Sequence, residues 1–310
     1  MQFIEKKTCK TWSQYARFIE KEQSKRQGYW IYRGDVNKSL KTSIERISKR
    51  WQIPSNSLPE IELRIIRDFQ RKYPKSAPHP FTFEDTFWWL SMMRHHGAPT
   101  RLLDWTYSGY VAAYFALEKM LMNGKRKGFV WIIGRDWIDK ESQKIITIIC
   151  KKLKCDANEF IQNIKDSQPH AFKQLFIDWR PKDSFVCVLN PWHLHERLSI
   201  QQGIFLCPVN ITKSFEYNIS KMNNYKKEVQ RISFDMSVND IYDALENLNR
   251  MNINHATLFS GLDGYAHTFN TRLKFFYEDC NQTKIKHYTY IEDKQSYLKL
   301  KQKDNIKTFE

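Results

Sequence analysis

Three short segments place polar, chemistry-bearing side chains beside turns. The first is Tyr32-Arg33-Gly34. An arginine at the end of an apolar run presents a planar fork of donors that suits phosphate or carboxylate, and the glycine beside it leaves room for a ligand. The same arginine can instead close a structural salt bridge. The second segment is HHGAPTRLLDWT, residues 95–106, which packs His95, His96, Arg101, Asp104 and Thr106 between two helical patterns, with Ser108 just beyond. The unpaired amides and positive dipole end of the following helix suit an anion. In the structural alternative, Asp104 pairs with Arg101, Thr106 caps the helix and Trp105 fills core. The third segment is ERLSIQQGIF, residues 196–205. Gln201 and Gln202, ahead of a buried strand, can read an amide or a base edge by hydrogen bonds, or can mark a bulge or strand-edge turn.

Together these segments give a working set of site residues. His95, Asp104 and Gln202 are the candidate catalytic groups. Tyr32, Arg33, Gly34, His96, Arg101, Thr106, Ser108 and Gln201 are the candidate substrate-binding groups. Arg33, His95, Arg101, Asp104, Thr106 and Gln202 are expected to converge on one cleft. His193 and His195 alternate and would share a face on a strand. No third ligand at useful spacing accompanies them, so no metal site is expected. A phosphate-binding loop, a dinucleotide fingerprint and a serine nucleophile elbow are all missing from the sequence.

The elements that must hold these residues are legible from periodicity and punctuation. Residues 11–26 read as an amphipathic helix ended by Gly28. Strands are expected at 29–33, 129–133, 184–189, 203–209 and 229–234. A helix opens at Pro59 and Glu60 and stops before Pro74. Thr82 with Asp85 three residues on suggests a capping box for the next helix, which Gly97 closes. RLLDWT reads as an irregular connection, and Thr106 or Ser108 then caps a helix through Leu117. Phe87, Trp88, Tyr114 and Phe115 are expected to pack against the sheet. Residues 136–180 look like a helical insertion, and Ser237 with Asp240 opens a late helix. The strands are not separated by regular single helices, so the expected class is α+β, with a central mixed or antiparallel sheet, flanking helices and the insertion. The expected organisation is one domain over 1–280 and a polar, Lys-rich appendage over 281–310.

Composition narrows the partners. The 310 residues carry a formal net charge of +16, which favours nucleotides, nucleic acid or an acidic protein partner. Much of the lysine is scattered, as in Lys125, Arg126 and Lys127, and such a surplus also fits a solvated surface. The six cysteines show no two-residue pairing of a zinc knuckle or redox motif. The opening MQFIEKKTCK has no apolar signal core and no run is long enough to span a bilayer, so a cytoplasmic protein without membrane contact is expected.

The order of motifs resembles the FRG-domain family. It comprises Trp12, the YRG motif at 32–34, HHGAPTRLLDWT followed by AAYFA at 112–116, and RLSIQQGIF at 197–205, with MNINHATLFSGLDG at 251–264 similar to the domain's end. The resemblance covers roughly residues 10–275. It departs at His96, where the family often has Tyr, and at Ser260, where Pro is common. A strand ending in Tyr-Arg-Gly is also similar, by analogy, to the first motif of arginine-class ADP-ribosyltransferases, in which the Arg holds NAD phosphate. Their Ser-Thr-Ser strand and their Glu-x-Glu or Gln-x-Glu pair are missing here; Gln201-Gln202-Gly203 stands nearest. A carboxylate for such chemistry would fall to Asp104 or Glu196. The family label carries no settled activity; the leading expectation is an effector acting on a nucleotide or nucleic acid, with an NAD-using transferase or glycohydrolase of the toxin or phage-defence kind as its favoured form. The competing readings are a nuclease or RNA-binding effector with His95 and His96 as acid and base, and a non-catalytic binding module.

Overall fold

A computed structural model of the chain describes residues 3–24, 30–74, 84–191 and 196–282. Seven strands form one sheet: β1 (Ile4–Cys9), β2 (Trp30–Asp35), β3 (Leu103–Thr106), β4 (Lys127–Gly134), β5 (Val186–Leu189), β6 (Gly203–Pro208) and β7 (Val229–Asp235). Their order is β1-β7-β4-β2-β3-β6-β5. β1 runs parallel to β7 and every other pairing is antiparallel, so the sheet is mixed and the fold is α+β.

Helices cover both faces. Ile31, Leu103, Trp105, Trp131 and Ile133 point to one face, where α3 (Leu58–Lys72), α4 (Thr86–His95) and the helical segment of residues 135–178 bury them. Tyr32, Val130, Ile132, Ile232 and Phe234 point to the other, beneath α1 (Trp12–Ser24), α5 (Gly109–Met122) and the helix Val238–Arg250. This alternation along single strands is the two-residue period of a sheet buried on both sides. Phe87 and Tyr114 are fully buried, while Trp88 and Phe115 are only partly so.

Local chemistry explains the ends: Thr42 caps α2 (Ser43–Arg50) by accepting the Glu45 amide at 3.3 Å. Ser108 caps α5 by accepting the Val111 amide at 3.2 Å, and Tyr15 donates to the Gly109 carbonyl at 2.7 Å. Ser237 and Asp240 form a reciprocal capping box. Gly97 ends α4 at φ +81°, a conformation that suits glycine. Asp85 itself caps α4 by accepting the Trp88 amide at 3.0 Å, in place of the expected third-position role. Thr82, Gly28, His193, His195 and the segment 283–310 lie outside the described residues.

Two strands differ from expectation. RLLDWT is not irregular: Leu103–Thr106 is a strand paired along its length with β6. β1 was not expected as a strand because its side chains are exposed up to Cys9. It is a sheet-edge strand fixed by backbone pairing, which leaves no hydrophobic alternation to read. The segment ERLSI is a short helix, Glu196–Ile200. Residues up to Thr271 form one unit, which contains everything described below; the chain from Arg272 forms another. Among the described residues, no helix is long and apolar enough to cross a membrane.

Candidate functional site

β2 and β3 are joined at a single residue pair, Tyr32↔Thr106. A cavity of about 230 Å³ lies beside this joint, lined by Tyr32–Gly34 on one side and Asp104–Thr106 on the other. Arg94 from α4 reaches it, as do Phe115, Glu118 and Lys119 from α5, and Arg197, Gln201 and Phe259 complete the wall.

Asp104 organises the cations. Arg94 Nε donates to both carboxylate oxygens, at 2.8 and 3.1 Å. Arg33 Nη1 donates to the Asp104 carbonyl at 2.7 Å and lies 3.7 Å from its carboxylate. Burial pushes the Asp104 carboxyl up, but the charge and hydrogen bonds of Arg94, with Arg33 and Arg197, outweigh it and hold the group at about 2. Burial lowers the Arg33 guanidinium, opposed by Asp35 and Asp104. Asp35 also takes Lys119 at 3.5 Å. Arg94 Nη1 donates to no group among the described residues, which leaves a donor for a ligand.

The wall carries four cationic side chains, Arg33, Arg94, Lys119 and Arg197, against two carboxylates, Asp104 and Glu118. Arg197 stacks over the Phe259 ring at 4.1 Å and donates to the His95 carbonyl at 3.3 Å. Glu118 accepts from Tyr114 Oη at 2.9 Å and pairs with His255 Nδ1 at 2.7 Å. Thr106 Oγ1 donates to the Gln201 carbonyl, and Gln201 Nε2 to the Leu258 carbonyl. These two side chains therefore tie β3 to the segments that carry Arg197 and Phe259.

Tyr32, Arg33, Gly34, Asp104, Thr106 and Gln201 thus meet at one cavity, but the wider convergence expected from sequence does not occur. Arg101 is fully buried and donates through Nε to both oxygens of Glu62, at 2.9 and 2.8 Å. Its Nη1 reaches the Phe176 carbonyl at 3.2 Å. It is a core ion pair, so it cannot clamp a ligand, and its partner is Glu62 and not Asp104. Ser108 is spent on capping. Gln202 is exposed, at φ +48° in the turn before β6. His96 is exposed beside His95, ring centroids 4.9 Å apart. His95 lines a neighbouring cavity of about 300 Å³ with Arg197, His255 and His267. Burial, with His96 and Arg197 nearby, lowers its pKa.

Gly34 has a second role. A Cβ there would stand 1.8 Å from the Ala112 carbonyl oxygen, so the missing side chain admits α5 as well as a ligand. Arg94, Phe115, Glu118, Lys119 and Phe259 were not expected at the site. Glu118 did carry a signal, as a carboxylate on the buried stripe of an apolar helix.

Residues 28–125 match the family model of the FRG domain. The chain thus carries a segment similar to the FRG domain, and that segment supplies every lining residue except Arg197, Gln201 and Phe259. No curated protein and no solved structure matches the chain.

Proposed function

We propose that the cavity beside the β2–β3 joint binds a phosphate-bearing nucleotide, with NAD the first candidate. One observation carries this reading: Arg33, Arg94, Lys119 and Arg197 line a single cavity whose carboxylates number two, and one of these, Asp104, is already saturated by arginines. Such a set leaves positive charge and fixed donors for an anion. Phe115 and Phe259 add aromatic surface for a base or nicotinamide ring. Gathering the cations in one cavity favours a discrete nucleotide over a nucleic-acid backbone, which calls for a stripe of charge.

The test is calorimetric titration of the purified chain with NAD, ADP and inorganic phosphate at low and high salt, followed by product analysis after incubation with NAD. Salt-sensitive binding of nucleotide that weakens in Arg94→Ala supports the reading. The absence of nucleotide binding at low salt overturns it. Release of nicotinamide or ADP-ribosylation of a protein would extend it to a glycohydrolase or transferase of an effector type.

A further inference from the structure

We propose that Glu118, His255 and His267 form a binding site for one divalent transition-metal ion of the Zn²⁺ class. The three residues come from α5, from the short helix His255–Leu258 and from the first turns of the helix Leu262–Gln282. Their ligand atoms lie within 4.8 Å of one another. Nδ1 of His255 stands 2.7 Å from Glu118 Oε1, and Nδ1 of His267 stands 3.9 Å from the same oxygen.

A hydrogen bond accounts for the first imidazole. The second imidazole stacks on the His255 ring, centroids 4.0 Å apart, and that stack turns its Nδ1 to the same carboxylate oxygen. Zn²⁺ binds nitrogen and oxygen at about 2.0–2.2 Å, so two atoms sharing an ion lie at most about 4 Å apart. Both Glu118–histidine separations fall within that bound, and His267, whose side chain is 43% exposed, can rotate out of its stack on His255 to aim its nitrogen at a shared ion. His255 is held for the task. Its ring stacks on Phe259, centroids 4.2 Å apart and planes 10° from parallel. Tyr114 Oη donates to Glu118 at 2.9 Å, the kind of outer contact that orients a ligating carboxylate.

The donor set selects the class of ion. Two imidazoles and one carboxylate suit Zn²⁺, Co²⁺ or Ni²⁺, whereas Mg²⁺ and Ca²⁺ prefer oxygen throughout. Three protein ligands leave a further coordination position for water or another ligand. Glu118 lines the cavity beside the β2–β3 joint and the histidines line the neighbouring one, so the ion would sit where the two approach. The proposal is independent of whether the first cavity takes a nucleotide.

The experiment titrates the chelator-treated full chain with Co²⁺ and Zn²⁺, reading bound metal by equilibrium dialysis and Co²⁺ coordination by its visible d–d bands. One ion per chain, with bands of a four- or five-coordinate site, is expected. His267→Ala should weaken uptake more than about tenfold and change the bands, at little risk to folding because the ring is half-exposed. His255→Ala should do the same if its thermal unfolding shows a folded chain; otherwise His267→Ala carries the test. No stoichiometric uptake, or uptake and bands unchanged in His267→Ala, overturns the proposal.

Discussion

Arg94 grips the carboxylate of Asp104 through both Nε and Nη2, tying the last turn of α4 to β3. The contact explains why Asp104, although half-buried, remains ionised to about 2. Removing the partner in Arg94→Ala should raise that value by about one unit or more, since a close opposite charge lowers a carboxyl by roughly one to three. Carbon-detected NMR titration of the Asp104 carboxyl reads this directly. A depressed carboxyl stabilises the fold above its unfolded pKa, and that stability drains away as pH falls towards 2. Acid unfolding of Arg94→Ala should therefore show a shallower pH dependence over this range. An unmoved Asp104 titration would assign the shift to other groups.

Arg33→Ala should weaken nucleotide binding by about 1.5–3 kcal/mol, the worth of a charge-assisted contact. The chain should remain folded, because Asp104 keeps Arg94 and Asp35 keeps Lys119. Calorimetry beside circular dichroism separates the two effects. A variant that unfolds would make Arg33 a structural ion-pair partner.

Arg101→Ala should be far more damaging to stability, although Arg101 lies away from the cavity. It strands the fully buried Glu62 carboxylate, a cost of about 3–5 kcal/mol. Replacing the pair together, Arg101→Met with Glu62→Leu, should recover much of that loss, since no unpaired charge remains buried. Urea unfolding of the single and double variants checks the order. Equal stability of Arg101→Ala and the parent chain would contradict it.

Gly34→Ala should destabilise the fold by about 1–3 kcal/mol, because the new methyl meets α5 backbone and not a movable side chain. Thermal unfolding measures it. A silent substitution would show that α5 can retreat from β2.

Much of this arrangement was legible in the sequence. The five expected strands were marked by runs of β-branched and aromatic residues, and the motifs at 32–34 and 104–106 fall on adjoining strands. Arg101 was misread because burial and the partner Glu62, thirty-nine positions away, are tertiary facts. β3 was missed because four residues flanked by a proline-containing turn show too little alternation to separate strand from loop. Glu118, His255 and His267 show no ligand spacing along the chain, since three different helices bring them together.

The single-pair joint between β2 and β3 bears on the cohesion of the whole unit. On one side lie β1, β7, β4 and β2; on the other lie β3, β6 and β5. With so little backbone ladder across the seam, side chains such as Arg33 and Asp104 take over the work of fastening. A ligand seated there would touch both halves at once and act as a rivet. Its binding free energy would then appear as resistance of the sheet to coming apart, growing with the logarithm of ligand concentration.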